Sequence, residues 1–106
     1  MTREYLSEEK APTREEVDAF AGPVLVEFGT AWCGYCQAAQ GDIVSLLAKN
    51  PGVRHVKVED GPGRRLGRSF RVKLWPNLVF LRDGVVLRQL ARPAAAELCE
   101  AFAALA

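Results

Sequence analysis

The sequence has no apolar run approaching the ~20 residues needed to cross a bilayer as a helix, and no excess of one charge. Fourteen basic residues face 13 acidic ones, a formal net charge of +1. That balance removes any global attraction to nucleic acid or to an anionic membrane. Histidine occurs once and cysteine three times, with a single paired Cys-x-x-Cys. A structural zinc site draws on four ligands, usually two such pairs, so no metal and no cofactor is expected. Repeats, low-complexity tracts and a second domain are all lacking. The first ten residues carry acids and no apolar stretch, so they do not read as a secretory leader. The expectation is a cytoplasmic protein, where thiols are kept reduced and paired cysteines serve catalysis or metal binding rather than structure.

The 106 residues suffice for one core, and 49% hydrophobic with 25% charged residues fits a globular domain. The most informative stretch is Trp32-Cys33-Gly34-Tyr35-Cys36, placed where the apolar run Val24-Leu25-Val26-Glu27-Phe28 gives way to a helix. Free backbone N–H groups and the positive dipole end at a helix start favour a thiolate, the form of cysteine that attacks disulfides or binds metals. Three uses of Cys33 and Cys36 compete. A zinc site is short of ligands, since His55 and Cys99 are unpaired. A structural disulfide over so short a ring restricts the unfolded chain little. A dithiol cycling through a disulfide is the reading that remains best supported.

Residues 1–12 read as an arm, mobile or at most a short strand around Tyr5-Leu6. Thr13 and Glu16 form a capping-box pattern opening a short helix, which Gly22-Pro23 stops. Val24 to Phe28 suits a strand buried on both faces. A helix follows from about Cys33 to Lys49, with Ile43, Val44, Leu46 and Leu47 as its apolar face and Asn50-Pro51-Gly52 ending it. Val53 to Val58 alternates, Val56 and Val58 on one face, His55 and Lys57 on the other, which suits a less fully covered strand. Arg64 to Phe70 makes one or two helical turns. Asp83-Gly84 joins Leu78–Leu81 to Val85–Arg88 as a hairpin. Pro93 suits the first turn of a last helix, Ala94 to Leu105. The fold class is α/β: a mixed sheet of four to five strands flanked by helices, in one domain over residues 13–106.

At this level the chain resembles the thioredoxin family. Val24 through Cys36 is similar to the family's central strand, buried acid and active-site run; Val72-Lys73-Leu74-Trp75-Pro76-Asn77 falls at its cis-proline; Phe80-Leu81-Arg82-Asp83-Gly84 falls at its hairpin. The resemblance covers about residues 13–105. It implies a thiol–disulfide oxidoreductase acting on protein disulfides, a monomer, recharged by a thioredoxin-reductase-like protein or by glutathione. Cys33 would be the exposed attacking thiolate and Cys36 the more buried resolving thiol. Glu27 would relay the proton of Cys36, and Lys57 would lie near that acid. A carboxylate inside an apolar strand would be costly without a partner, which agrees with a working role. The backbone before Pro76, in cis, would pair with the substrate chain. Trp32, Gly34, Tyr35, Trp75, Pro76 and Ala91 would line the substrate groove.

The departures carry information. Tyr35 stands where thioredoxins proper have proline, and the family resemblance then implies a less strongly reducing protein. Glu27 stands where they have Asp, as in protein disulfide isomerases. Trp75 thickens one groove wall, and Ala91 or its neighbour Arg92 falls where thioredoxins have glycine; together these suggest a dedicated partner. The five cations Arg64, Arg65, Arg68, Arg71 and Lys73 read as a solvated face or as an approach to the cysteines. Cys99 reads as a buried inert thiol, and His55 is assigned no chemistry, since the sequence offers it no partner. The rival reading is a non-catalytic module that binds a partner through a Trp32/Trp75/Pro76 groove.

Overall fold

A computed structural model of the chain describes residues 4–106. The element order is α1 (Arg14–Ala19), β1 (Pro23–Gly29), α2 (Gly34–Lys49), β2 (Arg54–Glu59), α3 (Arg65–Ser69), β3 (Asn77–Arg82), β4 (Val85–Ala91) and α4 (Ala95–Leu105). The strands form a four-stranded mixed sheet in the order β2-β1-β3-β4. β1 runs parallel to β2, and the β3–β4 hairpin lies antiparallel on its other side.

Alternation along β1 divides the core into two halves. Val24, Val26 and Phe28 face one side, where α1 and α3 cover them together with Val56, Val58, Leu66 and Phe70. Leu25 faces the other, packed with Ile43 of α2, Leu78 and Phe80 of β3, and Leu98, Phe102 and Leu105 of α4. Glu27 shares the parity of Leu25 and is 0% exposed beneath α2. The same alternation places His55 and Lys57 under α2, in register beside Leu25 and Glu27. The β2 side read from sequence as less covered is therefore covered: Lys57 is buried.

Local chemistry fixes the element ends. Thr13 caps α1 through a complete capping box, its hydroxyl accepting from the Glu16 N–H at 3.1 Å while Glu16 Oε1 accepts from the Thr13 N–H at 2.9 Å. Asp83 and Gly84 both take positive φ, 50° and 81°, as a tight hairpin requires. Asp83 Oδ1 also accepts from the Gly22 N–H at 2.7 Å, tying that turn to the entry of β1.

Three expectations are corrected. Pro93 precedes rather than opens α4: Ala94 is the extended N-cap residue, and its N–H is held by Glu97 Oε1 at 2.9 Å. Val44 is exposed on α2, so Ile43 carries the deepest apolar contact of that helix while Leu46 and Leu47 pack at its margin. Cys99 is exposed, because α4 turns Leu98, Ala101, Phe102 and Leu105 inward and leaves position 99 on the outer side. For the arm, residues 1–3 lie outside the described residues. In the described part of the arm, Leu6 forms one parallel bridge with Val58 at the edge of β2. The Leu6 N–H donates to the Lys57 carbonyl at 2.8 Å, and the Glu59 N–H donates to the Leu6 carbonyl at 2.9 Å.

Candidate active site

The loop after β1 delivers Cys33 to the N-cap of α2, in extended conformation with φ −75° and ψ 118°. Its Sγ accepts a hydrogen bond from the Cys36 backbone N–H at 3.2 Å, so one of the orphan donors of the helix start is aimed at this sulfur. Both cysteines are free thiols. Cys33 retains 7% exposure and Cys36 none. Cys33 is thus less open than the sequence suggested, but it remains the more accessible of the pair. Burial pushes the Cys36 thiol up to about 11, assisted by its hydrogen bond toward Cys33, while a backbone bond from Thr30 pulls the other way. Gly34 and Tyr35 form the first turn between the two thiols.

Tyr5 was missed by sequence reasoning. Its hydroxyl is buried beside Cys36 Sγ without a well-formed hydrogen bond, and burial, then the charges of Glu27 and Cys36, push its ionisation far upward. Gly29 makes room for this contact: a Cβ there would lie 2.5 Å from Cys36 Sγ and 3.1 Å from the Tyr5 hydroxyl. The only sequence signal for Tyr5 was its place beside Leu6 in the segment that bridges β2.

Behind the thiols lies a polar network within the covered face. Glu27 Oε2 accepts from Gln40 Nε2 at 2.8 Å, and the same amide nitrogen reaches the Cys36 carbonyl at 3.0 Å. Lys57 Nζ donates to Gln40 Oε1 at 2.9 Å and sits 4.4 Å from the Tyr5 ring centroid. Glu27 Oε1 lies 2.8 Å from His55 Nε2. Lys57 therefore does lie near the acid, joined to it through Gln40. His55, assigned no chemistry from the sequence, is the group in direct ion-pair contact with it. Period-two alternation already put His55 on the Lys57 face; what the sequence did not disclose is that β2 docks parallel to β1 with α2 over both.

The entrance is aromatic. Trp32 is 74% exposed and meets Trp75 edge-on, with ring centroids 5.7 Å apart at 77°. Trp75 Nε1 donates to Asp60 Oδ2 at 2.9 Å, and the Trp75–Pro76 peptide is cis. At the far end of the groove Arg92, rather than Ala91, makes the contacts. Its N–H donates to the Pro76 carbonyl at 2.9 Å and its Nε to the Trp75 carbonyl at 2.8 Å, and its guanidinium lies 3.9 Å from the Tyr35 centroid. Ala91 is exposed and pairs with Asn77 in the sheet. Of the basic residues before Pro76, Arg64 pairs with Glu59 at 2.6 Å, and Arg64, Arg68, Arg71 and Lys73 line a separate hollow of about 420 Å³. Among the described residues no cluster of side chains is arranged to hold a metal.

A buried thiol one helical turn from a hydrogen-bonded thiol, in a chain with a cis-proline just before β3 and a buried carboxylate on β1, defines a thioredoxin-fold protein with a paired dithiol. The Thioredoxin family model matches residues 5–104, and the chain belongs to the thioredoxin family. Thioredoxin 2 from Pseudomonas aeruginosa PAO1, in its reduced form, is 57% identical, with a TM-score of 0.85 over 99% of this chain and 96% of that one. Thioredoxin Asp f 28 from Aspergillus fumigatus is 30% identical over 65% of this chain and 64% of its own length. Human protein disulfide-isomerase A2 is 38% identical over 58% of this chain but only 12% of its own. The chain thus spans under two thirds of the length of these two curated relatives. Family and site together support a thiol–disulfide oxidoreductase function.

Proposed function

We propose that the protein is an enzyme that exchanges disulfides of protein substrates through Cys33 and Cys36. Cys33 thiolate attacks a substrate disulfide; a Cys33–substrate bond forms and the other substrate sulfur leaves as a thiolate. Cys36 then gives its proton to Glu27 and attacks Cys33 Sγ; the mixed disulfide breaks, and the second substrate sulfur leaves. The protein ends oxidised and the substrate reduced. A thioredoxin-reductase-like protein or glutathione would supply the two electrons that reset it, in a cytoplasmic setting. The observation that carries this reading is the unequal pair. Cys33 Sγ receives the helix-start N–H at 3.2 Å, while burial keeps Cys36 protonated until it is called to attack.

The Trp32–Trp75 pair and Arg92 shape which disulfides enter, and Trp32, Tyr35, Trp75 and Pro76 are the substrate-facing surface in this reading. Insulin reduction tests it. Wild type is active, Cys33→Ser is inactive, and Cys36→Ser accumulates a mixed disulfide. Wild type and Cys33→Ser both at the rate of buffer alone would refute the cycle and leave the partner-binding module standing; both equally active would refute the cycle through Cys33.

A further inference from the structure

We infer that His55 is a positioning residue for the resolving step, the group through which a proton taken up by Glu27 passes to solvent. This rests on the proposed role of Glu27 as proton acceptor for Cys36. Glu27 has no exposed surface, so it cannot trade a proton with water directly. Each of its oxygens has a partner: Oε2 the Gln40 amide and Oε1 His55 Nε2, both at 2.8 Å. An amide carries no titrating proton, and Lys57 reaches the carboxylate through that same amide. The imidazole is different, since its two ring nitrogens let it take a proton on one side and release one from the other. Its side chain keeps 7% exposure and borders a hollow of about 310 Å³, lined also by Gln40, Val44, Leu47, Pro51 and Lys57. That hollow lies between α2 and β2, and neither cysteine nor either tryptophan lines it.

Among the described residues, the other titratable groups facing the pair are Lys57 on β2, Tyr5 on the N-terminal segment and Cys36 on α2; β3 presents Leu78 opposite Glu27. The step balances. Cys36 Sγ–H gives its proton to Glu27, and its electron pair forms the bond to Cys33 Sγ. The Cys33–substrate bond breaks, and the departing sulfur keeps that pair. With His55 in the tautomer protonated on Nδ1, the proton on Glu27 Oε1 crosses to Nε2 while the Nδ1 proton passes to the hollow.

Stopped-flow reaction with dithiobis(nitrobenzoate), in a Cys99→Ser background that removes the exposed thiol, separates the steps. The first coloured thiolate reports attack by Cys33, the second resolution by Cys36. His55→Gln keeps an N–H toward Glu27 but cannot take up and release a proton. It should slow the second phase relative to the first by about tenfold, one order below the ~10²-fold of a directly acting base. It should also flatten the dependence of that phase on pH. Free imidazole should restore His55→Ala, whose truncation opens onto the hollow, where an equal concentration of sodium chloride does not. A wild-type second phase in His55→Gln, or His55→Ala unaffected by imidazole, overturns the relay. Glu27→Gln separates the two levels: slow Glu27→Gln with fast His55→Gln refutes the relay alone, whereas fast Glu27→Gln refutes the Glu27 role and the relay with it.

Discussion

Gly29→Ala places one methyl group against Cys36 Sγ. Gly29 closes β1 outside the left-handed region of φ, so the backbone accepts alanine and the cost is spatial. The added carbon would stand 2.5 Å from Cys36 Sγ, where an unstrained contact needs ~3.5–4.0 Å. The Tyr5 hydroxyl at 3.1 Å and its ring at 3.4 Å block retreat on the other side. Cys36 is anchored by the first turn of α2, so its sulfur must swing off its rotamer or the helix start must shift. Overpacking of this kind costs ~1–3 kcal/mol, and replacing glycine returns ~0.4–1 kcal/mol by restricting the unfolded chain. The net loss is about 1–2 kcal/mol. At roughly 4–8 °C per kcal/mol for a domain near this size, the melting temperature of the reduced protein falls by about 4–16 °C. Because any sulfur displacement also spoils its approach to Cys33, the resolving phase slows as well. Calorimetry and stopped-flow measure the two. A melting temperature within about 1 °C of wild type, which the same arithmetic reads as under ~0.3 kcal/mol, together with an unchanged resolving phase, would refute the tight packing of Gly29, Tyr5 and Cys36.

Two further outcomes follow from the site. In the reduced protein Cys36 titrates at about 11 against 9.0 for an ordinary thiol, so the unfolded chain ionises first. Its contribution is complete below about pH 9 and is lost as pH rises toward about 11, and Cys36→Ser removes that loss; a slope identical in both proteins would contradict the burial of this thiol. Trp75→Ile lowers the groove wall and should speed insulin reduction while weakening capture of the native partner by a Cys36→Ser trap. A slower rate accompanied by lower stability would instead make the Asp60 anchor the main service of Trp75.

The parts of this fold that sequence disclosed are those set by neighbours along the chain. Thr13 with Glu16, Asp83 with Gly84, and the switch from an apolar strand to a cysteine-bearing helix each act within about four residues, and each stands as read. Cys33 and Cys36 belong to that group, being one turn apart. What was not legible depends on which strands and helices meet. His55 and Lys57 looked like the polar side of a strand because alternation reveals parity but not what covers it; α2 converts that side into an interior. Tyr5 gains its place only through a bridge spanning some fifty residues of sequence, Leu6 to Val58. Cys99 and Val44 were misjudged because one hydrophobic neighbour on a helix does not settle which side faces the core.

The bridge at Leu6 also bears on how fast reagents find Cys36. Among the described residues, two backbone hydrogen bonds join this segment to β2, whereas each central strand is paired along its whole length. A segment joined to a sheet edge by a single bridge opens at lower free energy than the core. Since Tyr5 is adjacent, each such opening lifts one wall from the resolving sulfur and leaves the sheet standing. Covalent labelling of Cys36 is therefore a gated process, metered by fluctuation of the N-terminal segment rather than by melting of the domain. Its rate should track amide hydrogen exchange at Leu6 and Glu59, so two observables from different chemistries report one local clock.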